Sequence, residues 1–80
     1  NLVLYPNPAE DNLYINLPNE PYQFSVDNVL GKKFEVRYSA SSKSINIEAL
    51  PKGMYVLIIS NLNSKTSTVK KFIKQNDKLK

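Results

Sequence analysis

Glu10 and Asp11 are the only adjacent carboxylates in the chain. Hard oxygens of that kind are what a divalent cation takes, but it takes six or more of them. No other acidic residue stands near this pair in sequence, so a solvated loop is the stronger reading. Glu35 and Glu48 each fall on the polar side of an alternating stretch. They offer the two carboxyls of a glycosidase, yet so short a chain leaves little room for a cleft between them. Ser42-Lys43 and Ser64-Lys65 are formal Ser–Lys nucleophile pairs. Both lie in polar stretches where serine and lysine are ordinary, and no G-x-S-x-G elbow is present. Gly31-Lys32 reads as a turn, because a phosphate loop needs an earlier glycine and a Ser or Thr after the lysine. The chain has no histidine, the commonest general base and metal ligand, and no cysteine for a thiolate site or disulfide. The residues therefore point away from an enzyme, and no cofactor or metal is expected.

Binding chemistry is the next candidate. Phe34 stands with Lys32, Lys33 and Arg37, and Phe72 with Lys70, Lys71 and Lys74, a mixture that resembles a nucleic-acid surface. Phe34, however, sits on the apolar side of its stretch and reads as core, so no nucleic-acid partner is expected. The tyrosines Tyr5, Tyr14, Tyr22, Tyr38 and Tyr55 could stack on sugars, but only Tyr14 clearly lies on a polar side. Charge is unevenly spread. Residues 1–30 carry Glu10, Asp11, Glu20 and Asp27 with no base, a net −4; residues 31–80 carry all 11 basic residues against Glu35, Glu48 and Asp77, a net +8. Such asymmetry can mark a polyanion-binding face. Solubility and lysine protection of strand edges explain it more simply.

These side chains must be positioned by a small scaffold. Eighty residues make one domain. A chain of this size buries roughly 60–65% of its unfolded surface and is stable by only a few kcal/mol. No apolar run approaches the ~20 residues of a membrane helix, so the chain is not expected to span a membrane. It begins without methionine or a signal-like segment and reads as a piece of a longer chain.

The dominant period is two. Leu13, Ile15 and Leu17 alternate with Asn12, Tyr14 and Asn16. Tyr22, Phe24 and Val26 alternate with Gln23, Ser25 and Asp27; Phe34, Val36 and Tyr38 with Lys33, Glu35 and Arg37; Ile45 and Ile47 with Asn46 and Glu48. Each predicts a half-buried strand. Met54–Ile59 is apolar on both sides, which predicts a central strand covered on both faces. The run 68–74 breaks its alternation, since Val69 and Ile73 share a parity that Phe72 does not; a β-bulge near Lys70-Lys71 would bring Val69 and Phe72 to one face. With Leu2–Tyr5, the count is seven strands.

Turn chemistry separates them. Pro18–Pro21, Asn28–Lys32, Ser39–Lys43, Pro51–Gly53 and Asn61–Ser67 are the breaks. Gly31 and Gly53 are the only glycines and are expected to supply permissive backbone. Near the start, Tyr5-Pro6-Asn7-Pro8 reads as a stiff extended corner that ends the first strand, with the Asn7 amide free to turn the chain. No stretch has helical period. The expected fold is all-β: an antiparallel two-sheet β-sandwich, immunoglobulin-like, of about seven strands, filling residues 1–75, with a polar tail at 76–80 that frays.

The order of the motifs carries a resemblance. Leu4-Tyr5-Pro6-Asn7-Pro8 comes first, then Asp27 followed by Leu30-Gly31-Lys32, then Leu50-Pro51-Lys52-Gly53-Met54-Tyr55, then Lys70-Lys71-Phe72-Ile73-Lys74. Over residues 3–75 this resembles the C-terminal sorting domain, type A, of the type IX (Por) secretion system of Bacteroidetes. That family reads YPNP, D-x-x-G-K, L-x-x-G-x-Y and a terminal basic strand of K-K-F-x-K type. The departure is three residues, rather than two, between Asp27 and Gly31.

The resemblance implies a non-catalytic secretion signal carried by a larger N-terminal cargo. It implies transit through the periplasm, recognition by outer-membrane type IX components (a shuttle protein and a sortase-like peptidase), and delivery to the cell surface or medium. The peptidase usually removes the domain, and the parent is released or attached to the surface. Lys70, Lys71, Phe72, Ile73 and Lys74 are the expected recognition residues. Tyr5, Pro6, Asn7 and Pro8 form the N-terminal motif beside the linker, and Gly31, Lys32, Leu50, Pro51, Gly53 and Tyr55 shape the turns and fold. The competing class is a fibronectin-like or immunoglobulin-like spacer, or a carbohydrate-binding module, of a surface protein. In either class, an exposed last strand is open to pairing by β-addition.

Overall fold

The computed structural model describes residues 3–75. Eight strands run in the order β1 (Leu4–Tyr5), β2 (Asn12–Ile15), β3 (Tyr22–Asn28), β4 (Lys33–Phe34), β5 (Tyr38–Ser39), β6 (Ser44–Asn46), β7 (Gly53–Asn61) and β8 (Thr66–Lys74). They form two four-stranded sheets, β1-β2-β6-β5 and β4-β3-β7-β8, with every strand pair antiparallel. The inward residues of both sheets meet in one core. Leu13, Ile15 and Ile45 come from the first sheet and Val26, Leu57, Ile59 and Phe72 from the second; Ile47, Leu50 and Ala9 join them from connecting segments. The expected all-β sandwich is therefore the fold; Leu13 and Ile15 of β2 and Val26 of β3 are buried as their period requires, with Tyr22 and Phe24 half-buried on the same face of β3.

Three expectations need correction. The stretch 32–39 is not one strand. It splits into β4 in one sheet and β5 in the other, and residues 35–37 cross between them. Phe34, Val36 and Tyr38 still pack against the core, because an extended crossing turns every second side chain inward just as a strand does. There is also no bulge at Lys70-Lys71. The β7–β8 register runs without interruption from Gly53↔Lys74 to Asn61↔Thr66. Phe72 consequently faces the core while Val69 and Ile73 face outward, 60% and 42% exposed. Lastly, β7 is central in its sheet but covered on one face only. Tyr55, Leu57 and Ile59 are buried; Val56 and Ile58 are half-buried and Met54 is exposed.

The turns follow from Asn and Gly chemistry. Asn28 Oδ1 accepts from the N–H groups of Leu30 (2.9 Å) and Lys32 (2.8 Å), and its own backbone closes the hairpin with Lys32. Gly31 takes φ +87°, where a side chain is strained. At the β7–β8 turn, Asn61 Oδ1 accepts from Asn63 and Ser64, and Lys65 adopts φ +60°. The first-strand expectation for Leu2 and the fraying of 76–80 concern residues outside those described.

Candidate functional site

The Tyr5–Pro8 motif ends β1 as expected but is bent at residues 6–8 rather than extended. The reason is topological: the chain must leave the edge of one sheet and reach the edge of the other. Both the Tyr5–Pro6 and the Asn7–Pro8 peptide bonds are cis. The corner lands on β8. Asn7 Oδ1 accepts the Ile73 N–H at 3.0 Å, Ala9 N–H donates to the Ile73 carbonyl at 2.7 Å, and Gln75 N–H donates to the Ala9 carbonyl at 2.6 Å. Ala9 and Lys74 thus form a parallel bridge, and Ala9 is fully buried. Two motifs more than sixty residues apart in sequence are one structural unit. Tyr5 faces outward and stacks on Tyr14, with ring centroids 5.7 Å apart. Tyr14, the tyrosine on a polar side, is therefore covered by a second ring rather than left as an open platform.

The basic strand divides by parity. Phe72 is buried and stacks on Tyr55 at 5.5 Å, and the Lys74 side chain is also buried. Lys70 is half-buried. Lys71 and Ile73 point outward, and Val69, which lies just before the expected set, shares that face. Across the ladder, Ile73 lies beside Met54, Lys71 beside Val56 and Val69 beside Ile58. The outer face of the β7–β8 hairpin is thus an apolar strip with a lysine in its middle.

The Asn28–Lys32 turn lies across the sheet from this strip, whereas Leu50–Gly53 leads directly into it at Met54. Tyr55 donates its hydroxyl to the Pro51 carbonyl, which pins the turn before β7. Leu50 is buried, and Gly53 has φ +149°. Lys32 lies over the Phe34 ring, its Nζ 5.2 Å from the centroid, and Lys33 pairs with Asp27 at 3.0 Å. Asn28 opens the turn expected at Asn28–Lys32, and its side chain takes the acceptor role that the family pattern gives to an aspartate. Measured from Asn28 rather than Asp27, the spacing to Gly31-Lys32 has the two intervening residues of the family pattern, and Asn28 supplies the side-chain acceptor.

A cleft of about 980 Å³ opens on the opposite flank, beside Tyr22, Phe24, Val36 and Tyr38. Phe24 and Tyr38 stack at 5.3 Å, and the Tyr38 hydroxyl donates to the Ile15 carbonyl. One face of each ring is thus covered by the other. Desolvation, with the Glu20 charge and Tyr38 adding to it, raises the Tyr22 hydroxyl above its ordinary pKa. The cleft corrects the expectation that so short a chain has little room for one: Glu35 lines it, but Glu48 does not, so the two carboxyls do not face each other across it. Among the described residues no three His, Cys, Asp or Glu side chains gather where they could hold a metal. No helix of the described residues is long and apolar enough to cross a membrane.

Fold and surface together define a small β-sandwich in which Asn7–Ala9 joins Ile73–Gln75 at one sheet edge, beside a basic strand that turns Lys71 outward. The sequence model of the family described as "Secretion system C-terminal sorting domain" matches residues 3–75, and the chain belongs to that family. Its members are the type IX secretion sorting signals of Bacteroidetes, carried by larger cargo and serving export to the cell surface or extracellular space. A comparison with curated proteins finds no match.

Proposed function

We propose that this domain is a non-catalytic address label read in its folded form. A shuttle protein of the outer-membrane type IX translocon engages the β8 face after periplasmic transit. A sortase-like peptidase then cuts the linker ahead of Tyr5, and the parent is released or attached to the surface. The observation that carries this reading is the joint between Asn7–Ala9 and Ile73–Gln75. In this reading the cargo linker ends ahead of Tyr5, and the joint supports a single docking event that presents both the linker and the basic strand. Lys71 and Ile73 are the residues available for contact, with Lys70 at their side. Phe72 and Lys74 act from within by holding the strand. Gly31, Lys32, Leu50, Pro51, Gly53 and Tyr55 keep the turns that shape the block.

The test is a reporter with an inner-membrane signal peptide, expressed in a Bacteroidetes host with and without residues 1–80 at its C-terminus. The tagged reporter is expected outside the cell, at the mass of the reporter without the domain. The untagged one is expected in the periplasm. Periplasmic retention of both overturns the reading, and external reporter at full fusion mass overturns the removal step.

A further inference from the structure

The two edges of the β4-β3-β7-β8 sheet are treated differently. One is blunted: β4 has two residues. The other, β8, has nine, and edge strands of that length are normally shortened, bent or covered. Its backbone orientation is fixed by the joint between Asn7–Ala9 and Ile73–Gln75. In an antiparallel ladder a residue sends both its N–H and its C=O either toward its partner strand or away from it. Ile73 sends both to residues 7 and 9, away from β7. By the unbroken register, Ser67, Val69 and Lys71 share that orientation. Among the described residues, the Asn7–Ala9 segment therefore adds to only the last part of an edge that runs on, in the same orientation, for several more residues.

We propose that the edge from Ser67 to Lys71 receives an extended acidic segment of the export machinery as an added β-strand. This rests on the sorting reading above and names its mode of contact. The sheet already accepts such an addition at Ala9↔Lys74, so the free stretch continues a pairing that the molecule makes with itself. Charge selects the occupant. The strand TSTVKKFIK holds three lysines and no carboxylate, with Lys65 just before it. A second copy would set two strands of three lysines and no carboxylate side by side, whereas an acidic strand neutralises the charge. The side-chain pattern of the occupant follows from the outward face: an apolar residue beside Val69 and a carboxylate beside Lys71, two residues apart on one face. Lysine protection of the edge alone would not leave Val69 60% exposed between Ile58 and solvent.

Proline substitution separates backbone pairing from side-chain contact. Val69→Pro removes an N–H that points away from β7, so the β7–β8 ladder keeps its bonds. In the reporter fusion, V69P is expected to lower the external-to-periplasmic ratio about tenfold, while Val69→Thr, which keeps the N–H, stays near wild type. Lys71→Glu is expected to lower it similarly, and Lys71→Arg to preserve it. Cooperative melting of each purified chain confirms folding. If V69P fails to fold, Ser67→Pro carries the same test, and the K71E and K71R pair decides the charge of the partner independently. Wild-type export from a folded V69P chain, or equal loss in V69T, overturns strand addition. Wild-type export of K71E overturns an acidic partner. A purified wild-type dimer dissolved by V69P assigns the edge to a second copy and overturns the proposal. Failure of the unmodified fusion to be exported is a different result, and refutes the sorting reading itself.

Discussion

Asn7 is where the two ends of the domain are tied, and Asn7→Ala cuts one tie. The substitution removes the Oδ1 that accepts the Ile73 N–H at 3.0 Å and leaves the Ala9–Ile73 and Gln75–Ala9 backbone bonds in place. The site is exposed, so water can replace the lost acceptor, and the net cost is that of an ordinary hydrogen bond, about 0.5–1.5 kcal/mol. That corresponds to a two- to thirteenfold rise in the local opening constant of β8 at Ile73. Native-state amide hydrogen exchange reads it directly. The Ile73 amide is expected to exchange faster by that factor in N7A, with amides in the middle of β7 unchanged. Asn7→Asp keeps the acceptor and is expected to retain protection at Ile73. Equal Ile73 protection in N7A and wild type would refute the reasoning, since the amide would then owe nothing to the corner. A uniform loss of protection across the sheet would refute it differently, by showing that the corner supports the whole fold.

Other outcomes follow from the same packing. Phe72→Ala empties a fully buried site and ends the stack on Tyr55, a loss of about 3–5 kcal/mol that is comparable with the few kcal/mol of stability expected of a chain this short, so thermal denaturation should show a midpoint at least about 12 °C lower or no folded baseline. Gly31→Ala meets no atom within 4 Å but must hold φ +87°, so chemical denaturation should show a loss of about 1–2 kcal/mol, less for Gly31→Asn. Tyr55→Phe keeps the ring and loses the bond to the Pro51 carbonyl, and should cost about 1 kcal/mol in the same assay.

Much of this was legible in the residues, and the gaps have physical causes. Period two marked β2, β3 and the inner faces of both sheets, because one face of each strand meets the core. It could not divide 32–39 between two sheets, since Phe34, Val36 and Tyr38 turn inward on both sides of the crossing. The misplaced bulge came from equating apolar with buried: Val69 is apolar and outward, which suits a docking face better than a core. Gly31 and the Asn28–Lys32 turn were readable from local chemistry, whereas the family pattern, aligned on Asp27, does not show that Asn28 is the side chain that accepts. The proline corner was recognisable as a motif, but its bond to Ile73 was not. No local rule tells an asparagine side chain which distant strand it will meet. The split of the basic strand into buried Phe72 and Lys74 and outward Lys71 and Ile73 also needed the register of β7 against β8.

Export in matched strains is the most direct measurement. The reporter bearing residues 1–80 would be quantified outside the cell and in the periplasm of a Bacteroidetes host, and in the same host lacking the type IX translocon. A folded sorting label predicts external reporter in the first strain and periplasmic accumulation in the second. Equal distribution in the two strains would contradict it.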